Sequence, residues 1–183
     1  KRDELYVLYP SEELMTLKFD FRLEKREIKF LFGILRNCPN IISIDIGRHI
    51  HLDNSNFKLF MSLLGSNSTL NELIIGEGIT LFNGKDDNYE RVESLHDALV
   101  LNSSLTSLTI DDVELDQQCC ISLSDAFSKN SSLTSIQLSH CNIDDLGCTA
   151  LSECFKSNTS ITSLNLAVNR INNAGCIALC DRL

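Results

Sequence analysis

Histidine, cysteine and carboxylate side chains are where chemistry would begin, and their spacing in this sequence offers little of it. The four histidines are His49, His51, His96 and His140. His49 and His51 stand two apart, a spacing that lets two imidazoles share a metal ion from one face of a strand. No third ligand stands at a matching interval, so the pair reads as ordinary histidines. Eight cysteines occur: Cys38, Cys119, Cys120, Cys141, Cys148, Cys154, Cys176 and Cys180. None forms a CxxC pair, which argues against zinc, and a chain of this length builds a core without disulfides. They read as reduced, buried thiols of a cytosolic or nuclear protein. Asp86, Asp87 and Glu90 lack the spacing of a calcium loop, and the stretch 83–90, with its Gly, Asp and Asn, reads as a solvated loop in which Tyr89 is a contact residue. There is no phosphate-cradling glycine loop, nucleophile elbow or paired-carboxylate motif. The expectation is a protein with no catalytic residue, no bound metal and no cofactor.

Composition narrows the remaining classes. The chain has 183 residues, 43% apolar and 22% charged, which suits one folded domain over residues 1–183. No apolar run is long enough to span a bilayer, so membrane insertion is not expected. The net charge of −9 is uneven. Residues 1–91 carry 12 basic and 14 acidic side chains, and residues 92–183 carry 4 and 11. So acidic a half repels a phosphate backbone, because nucleic-acid binding rests on Lys and Arg displacing counterions. Nucleic acid is therefore not an expected partner, whereas a basic protein is.

The elements that position these residues come from an internal repeat. The segments Leu105-Thr-Ser-Leu108-Thr-Ile110, Leu133-Thr-Ser-Ile136-Gln-Leu138 and Ile161-Thr-Ser-Leu164-Asn-Leu166 begin 28 residues apart. Looser copies begin at Leu70, Ile41 and Leu14, at intervals of 35, 29 and 27 residues. Apolar residues alternating at the end of each segment predict a short strand. Each strand is followed by apolar pairs at helical spacing: Phe60 with Leu64, Leu95 with Leu99, Leu123 with Phe127, Leu151 with Phe155, and Leu179 with Leu183. One strand and one helix cannot bury their apolar faces alone, but stacked copies can.

These residues resemble leucine-rich repeats, in particular the roughly 28-residue subclass typified by ribonuclease inhibitor. The unit from Ile161 matches that motif through Asn169, Ile171 and Gly175. The unit from Leu133 puts Cys141 in the Asn place and continues with Ile143 and Gly147, and the unit from Leu105 has Val113, Leu115 and Cys119 there. The resemblance implies an α/β solenoid, a curved horseshoe fragment with parallel strands on the concave face and helices on the convex face. Residues 1–13 are expected to be a partial coil or a cap. Leu183 is expected to fall mid-helix, at a truncated C-terminal end.

Three columns recur in this frame. Cys120, Cys148 and Cys176 are expected to be small buried fillers near each helix start. Asn67, Asn102, Asn130 and Asn158, each in an N-x-S/T sequon, are expected to end helices in the left-handed conformation rather than to carry glycans. Asp116, Asp144, Asp145, Asn172 and Asn173 are expected to cap helices.

Fold alone does not fix function. The resemblance implies a non-catalytic protein-interaction module of a larger signalling, regulatory or effector protein. That module would act in the cytoplasm, or in a host's cytoplasm if it is a secreted bacterial effector. The candidate partner-binding residues are the acidic rim of Glu77, Asp111, Asp112 and Glu114, the outward strand positions Thr109, Gln137 and Asn165, then His140, with Arg48 and Phe21 on the N-terminal coils. Two alternatives follow from narrower resemblances. Asn37-Cys-Pro-Asn-Ile41 and Cys141-Asn-Ile-Asp-Asp145 resemble the cysteine-containing repeats of F-box ubiquitin ligases, whose period is nearer about 26 residues. Ran GTPase-activating proteins use similar repeats, and Arg48 is the arginine available for that role.

Overall fold

A strand that alternates its side chains and a helix that buries one stripe give each coil an inner and an outer wall. The structure, a computed structural model, describes residues 7–8, 15–18, 31–33, 35–36, 40–46, 52–76 and 85–183. In chain order the elements are β1 (Val7–Leu8), β2 (Met15–Lys18), β3 (Ile41–Asp45), α1 (Asn54–Ser66), β4 (Glu72–Gly76), α2 (Lys85–Leu101), β5 (Ser107–Asp111) and α3 (Gln117–Lys129). They continue with β6 (Ser135–Ser139), α4 (Asp145–Ser152) with a 3-10 turn at Glu153–Lys156, β7 (Ser163–Asn165) and α5 (Asn173–Cys180). Residues 31–33 and 35–36 are helical as well.

Among the described residues, the seven strands form one sheet in chain order. From β2 to β7 every neighbour is parallel, as an α/β leucine-rich repeat solenoid requires. The exception is β1, which pairs antiparallel with β2 through Val7↔Leu17 and Leu8↔Thr16. Among the described strands β1 therefore lies at the edge of the sheet.

The core lies between sheet and helices. Leu73, Leu108 and Ile136 share one rung, and Ile75, Ile110 and Leu138 the next. Their sheet-facing sides meet Phe57, Phe60, Met61 and Leu64 of α1, Val92, Leu95 and Leu99 of α2, and Leu123 and Phe127 of α3, all buried. Each such side chain contributes about 1.5–3 kcal/mol on burial. The last coil is less covered: Leu164, Leu166, Ile171 and Leu179 are half-buried and Leu183 is 81% exposed.

Two hydrogen-bond ladders tie the coils together. The first lies where helix gives way to strand, and it corrects the left-handed expectation for the asparagine column. Asn67 and Asn130 have extended backbones, at φ −78° and −83°. Their side chains do the work of the turn. Oδ1 of Asn130 accepts from the backbone N–H groups of Ser132 and Leu133, at 2.9 and 2.8 Å. Nδ2 of Asn130 donates to the carbonyls of Leu99 and Asn102 in the preceding coil, at 2.8 and 3.0 Å. Asn102 repeats the pattern onto Leu64 and Asn67, and Asn158 onto Phe127 and Asn130. An amide that accepts forward and donates backward satisfies backbone groups that no regular element reaches.

The second ladder follows the strands, at Asn169 and Cys141. Oδ1 of Asn169 accepts from Cys141 and Ile143 N–H at 2.9 and 3.0 Å, and Nδ2 donates to Leu138 O at 2.7 Å. The Cys141 thiol donates to Ile110 O at 3.3 Å.

Helix starts follow the capping rule with one displacement. Asp53, Asp116 and Asp144 accept from the backbone N–H three residues on, each at 2.9 Å. Asn172 makes no such bond. Asp145 of the preceding coil takes its place, accepting from Asn172 N–H at 2.7 Å and Gly175 N–H at 2.9 Å. Those two donors hold the Asp145 carboxyl below the usual carboxylate range. Gly175 is required there, because a Cβ would stand 2.8 Å from Asp145 Oδ1 and 2.9 Å from Ile171 Cγ2.

Two further expectations are corrected. The stretch 83–90 is not a loop from Lys85 onward, since Lys85 opens α2, which at 17 residues is longer than α1 and α3 at 13. The C-terminal helix stops at Cys180 and does not carry Leu183.

Candidate functional site

The parallel register lines outward side chains into straight columns. Ser43, Glu72, Ser107, Ser135 and Ser163 form one. Asp45, Ile74, Thr109, Gln137 and Asn165 form the next, so Thr109, Gln137 and Asn165 do stand side by side. Thr109 is half-buried, and Gln137 and Asn165 are exposed. Asn165 Oδ1 accepts from Ala167 N–H at 2.9 Å.

At the carboxyl end of these strands lies the acidic rim. Asp111 ends β5 and pairs in register with Gly76 and Ser139. A Cβ on Gly76 would come within 3.2 Å of Asp111 Cβ and 3.3 Å of Asp111 O, so the bare glycine leaves room for Asp111 at the rim. His140 Nδ1 lies 3.1 Å from Asp111 Oδ1, and Asn142 Nδ2 donates to Glu114 Oε1 at 3.4 Å. Asp112 and Glu114 are exposed. The structure therefore gathers Asp111, Asp112, Glu114 and His140 on one edge of the column of Thr109, Gln137 and Asn165. Glu77, Arg48 and Phe21 lie outside the described residues, as do Cys38, His49 and His51.

A turn of unusual backbone carries this rim. Asp112, His140 and Val168 stand at the same place in successive coils and share φ of 56°, 54° and 55°. Aspartate tolerates the left-handed region; a β-branched valine does not, and costs roughly 1–3 kcal/mol there.

The seven described cysteines are free thiols. Cys120 and Cys148 are buried fillers as expected, whereas Cys176, third in that column, is exposed on the last helix. Burial pushes the Cys119 and Cys141 thiols up to about 12 and Cys154 to about 11, and drives Cys120 up as well. Such thiols are poor nucleophiles. Among the described residues no three His, Cys, Asp or Glu side chains converge to hold a metal ion. The rim and columns offer hydrogen-bond donors, acceptors and negative charge, which is the chemistry of recognition.

Sequence reasoning missed two arrangements on the helical side. His96 Nε2 lies 2.7 Å from Asp125 Oδ2 and its Nδ1 3.0 Å from Asp97 Oδ1, while Lys129 Nζ donates to Asp125 at 2.6 Å. Burial disfavours the His96 imidazolium, but the hydrogen bonds to Asp125 and Asp97 outweigh it and hold the pKa above its ordinary value. The signal was present, because His96 and Asp125 are 29 residues apart, one more than the repeat. The other is Arg91, only 6% exposed, whose Nε donates to Asn54 Oδ1 at 2.7 Å and Nη2 to Leu52 O at 3.1 Å. Its guanidinium lies 5.7 Å from the Phe57 ring centre. An arginine on an apolar stripe carries no sequence mark of being held that way.

Residues 129–152 and 157–180 each match the family model described as a leucine-rich repeat. No curated protein matches. Among solved structures, one described as a crystal structure of a TLR13–ssRNA13 complex is similar over 90% of this chain, at 15% identity and a TM-score of 0.34. This chain spans 34% of that chain's length, and the RNA is said of that protein.

Proposed function

We propose that this chain, an α/β leucine-rich repeat solenoid, serves as a non-catalytic protein-interaction module whose concave strand face and acidic rim receive a basic, extended segment of a protein partner. One observation carries the reading: the strand register sets Thr109, Gln137 and Asn165 in a column flanked by Asp111, Asp112 and Glu114. A polar column of this kind gives orientation, and the carboxylates beside it give attraction and partner choice. The 28-residue period of the last three coils supports the ribonuclease-inhibitor-like subclass. The same carboxylates oppose a phosphate backbone, so nucleic acid is not the proposed partner.

The test is titration calorimetry of short Lys/Arg-rich peptides against acidic counterparts of equal length, with single-stranded RNA as a third arm. Basic peptides should bind, more weakly as salt rises. Asp111→Lys, Asp112→Lys and Glu114→Lys together should weaken that binding by about tenfold or more. Equal affinity for acidic and basic peptides, indifference to the triple reversal, or tighter binding of RNA would each overturn the reading.

A further inference from the structure

The asparagine ladder coincides with four glycosylation sequons: Asn67-Ser-Thr69, Asn102-Ser-Ser104, Asn130-Ser-Ser132 and Asn158-Thr-Ser160. Attachment of a glycan forms a bond between asparagine Nδ2 and the anomeric carbon of a sugar. One Nδ2 hydrogen is lost, and the lipid-pyrophosphate carrier leaves. In this fold neither Nδ2 hydrogen is spare at three of the four positions. Asn102 Nδ2 donates to Leu64 O at 2.7 Å and to Asn67 O at 2.9 Å. Asn130 spends both on Leu99 O and Asn102 O, and Asn158 both on Phe127 O and Asn130 O. Asn102 and Asn130 are each only 4% exposed, so a sugar on either has no path to solvent. The hydroxyl side of the sequon is spent as well. Ser132 Oγ donates to Asn130 Oδ1 at 3.2 Å, and Ser104 Oγ to Leu70 O at 2.9 Å.

We infer that N-glycosylation and folding are mutually exclusive for this chain, and that the sequon column marks a protein that folds where no glycan transferase acts, in the cytoplasm and not in the secretory lumen. Glycan transfer acts on the unfolded chain, so later burial gives no protection. A chain passing through the lumen would be modified first and would then lack the donors that join one coil to the next. Cys176 and Cys180, free and exposed, suit the same reducing compartment.

The experiment translates the full chain behind a cleavable signal into microsomes, under reducing conditions so that thiol oxidation plays no part. It is run with and without an inhibitor of lipid-linked glycan synthesis. Without the inhibitor the chain should gain glycans, seen as a mobility shift removed by a glycan amidase, and should be digested by protease. With the inhibitor it should be unmodified and protease-resistant. Ser132→Ala, which abolishes the Asn130 sequon while keeping the asparagine, should remove one step of the shift and leave cytosolic folding intact. A glycosylated chain as protease-resistant as the unmodified one overturns the inference. So does an unmodified chain that stays unfolded in the microsomes while folding in cytosol.

Discussion

Single side chains with definite geometry give the sharpest expectations. Asn130 closes four hydrogen bonds to backbone groups, two forward and two backward. An unsatisfied buried polar group costs about 1–3 kcal/mol, so Asn130→Ala should destabilise by about 3 kcal/mol in urea unfolding, where a loss below 1 kcal/mol would contradict the ladder. Val168, 67% exposed at φ 55°, packs little and is strained. Val168→Gly should raise stability by about 1 kcal/mol, and a loss would show that the turn is not strained. His96 adds a pH dependence. Its pKa in the folded chain is raised, so the stability it lends is complete below the unfolded value and is lost as pH rises through the folded one. His96→Gln should therefore cost more stability near pH 5.5 than near pH 8.5, and equal costs at both would refute the pairing with Asp125 and Asp97. Of these three features, the sequence displayed the residues and withheld the geometry. Asparagine at a helix end suggests a left-handed backbone on propensity alone. Only the carbonyls of the neighbouring coil show that its amide is the connector.

Strands were the most legible elements, because a period of two next to a 28-residue recurrence leaves one arrangement. The outward positions Thr109, Gln137 and Asn165, read from phase, are found in register. Helix starts were legible as a composition of Asp and Asn, but not as a set of partners. Asp145 lies inside its own helix and accepts from the next helix's first turn, a relation that appears only when coils are stacked. Asp145→Ala should therefore loosen α5 more than α4. Amide hydrogen exchange would show this as faster exchange at residues 172–180, and equal change in both helices would count against it. Gly84 and the acidic run that follows have the composition of a loop, yet α2 opens at Lys85. Burial also sets the cost of substitution along the apolar positions. Leu123, fully buried on α3, should cost about 2–5 kcal/mol as alanine. Leu183 lies outside any helix and is 81% exposed, so its alanine variant should be near neutral.

Taken whole, the molecule is a row of coils in which each contacts its neighbours, so stability is a sum of coil and interface terms. The even sheet follows from in-phase repeats and was legible before any coordinates. The outward strand positions and the acidic rim were legible as residues, but the left-handed bend that carries Asp112 and His140 was not, because it depends on backbone angles the residue types do not announce. The asparagine amides also give the row a direction. Each one reaches back to carbonyls of the coil synthesised earlier and never ahead to one still to come. A ribosome releasing the chain from its amino end therefore presents every new turn with a finished template, so assembly can keep pace with synthesis, one coil at a time.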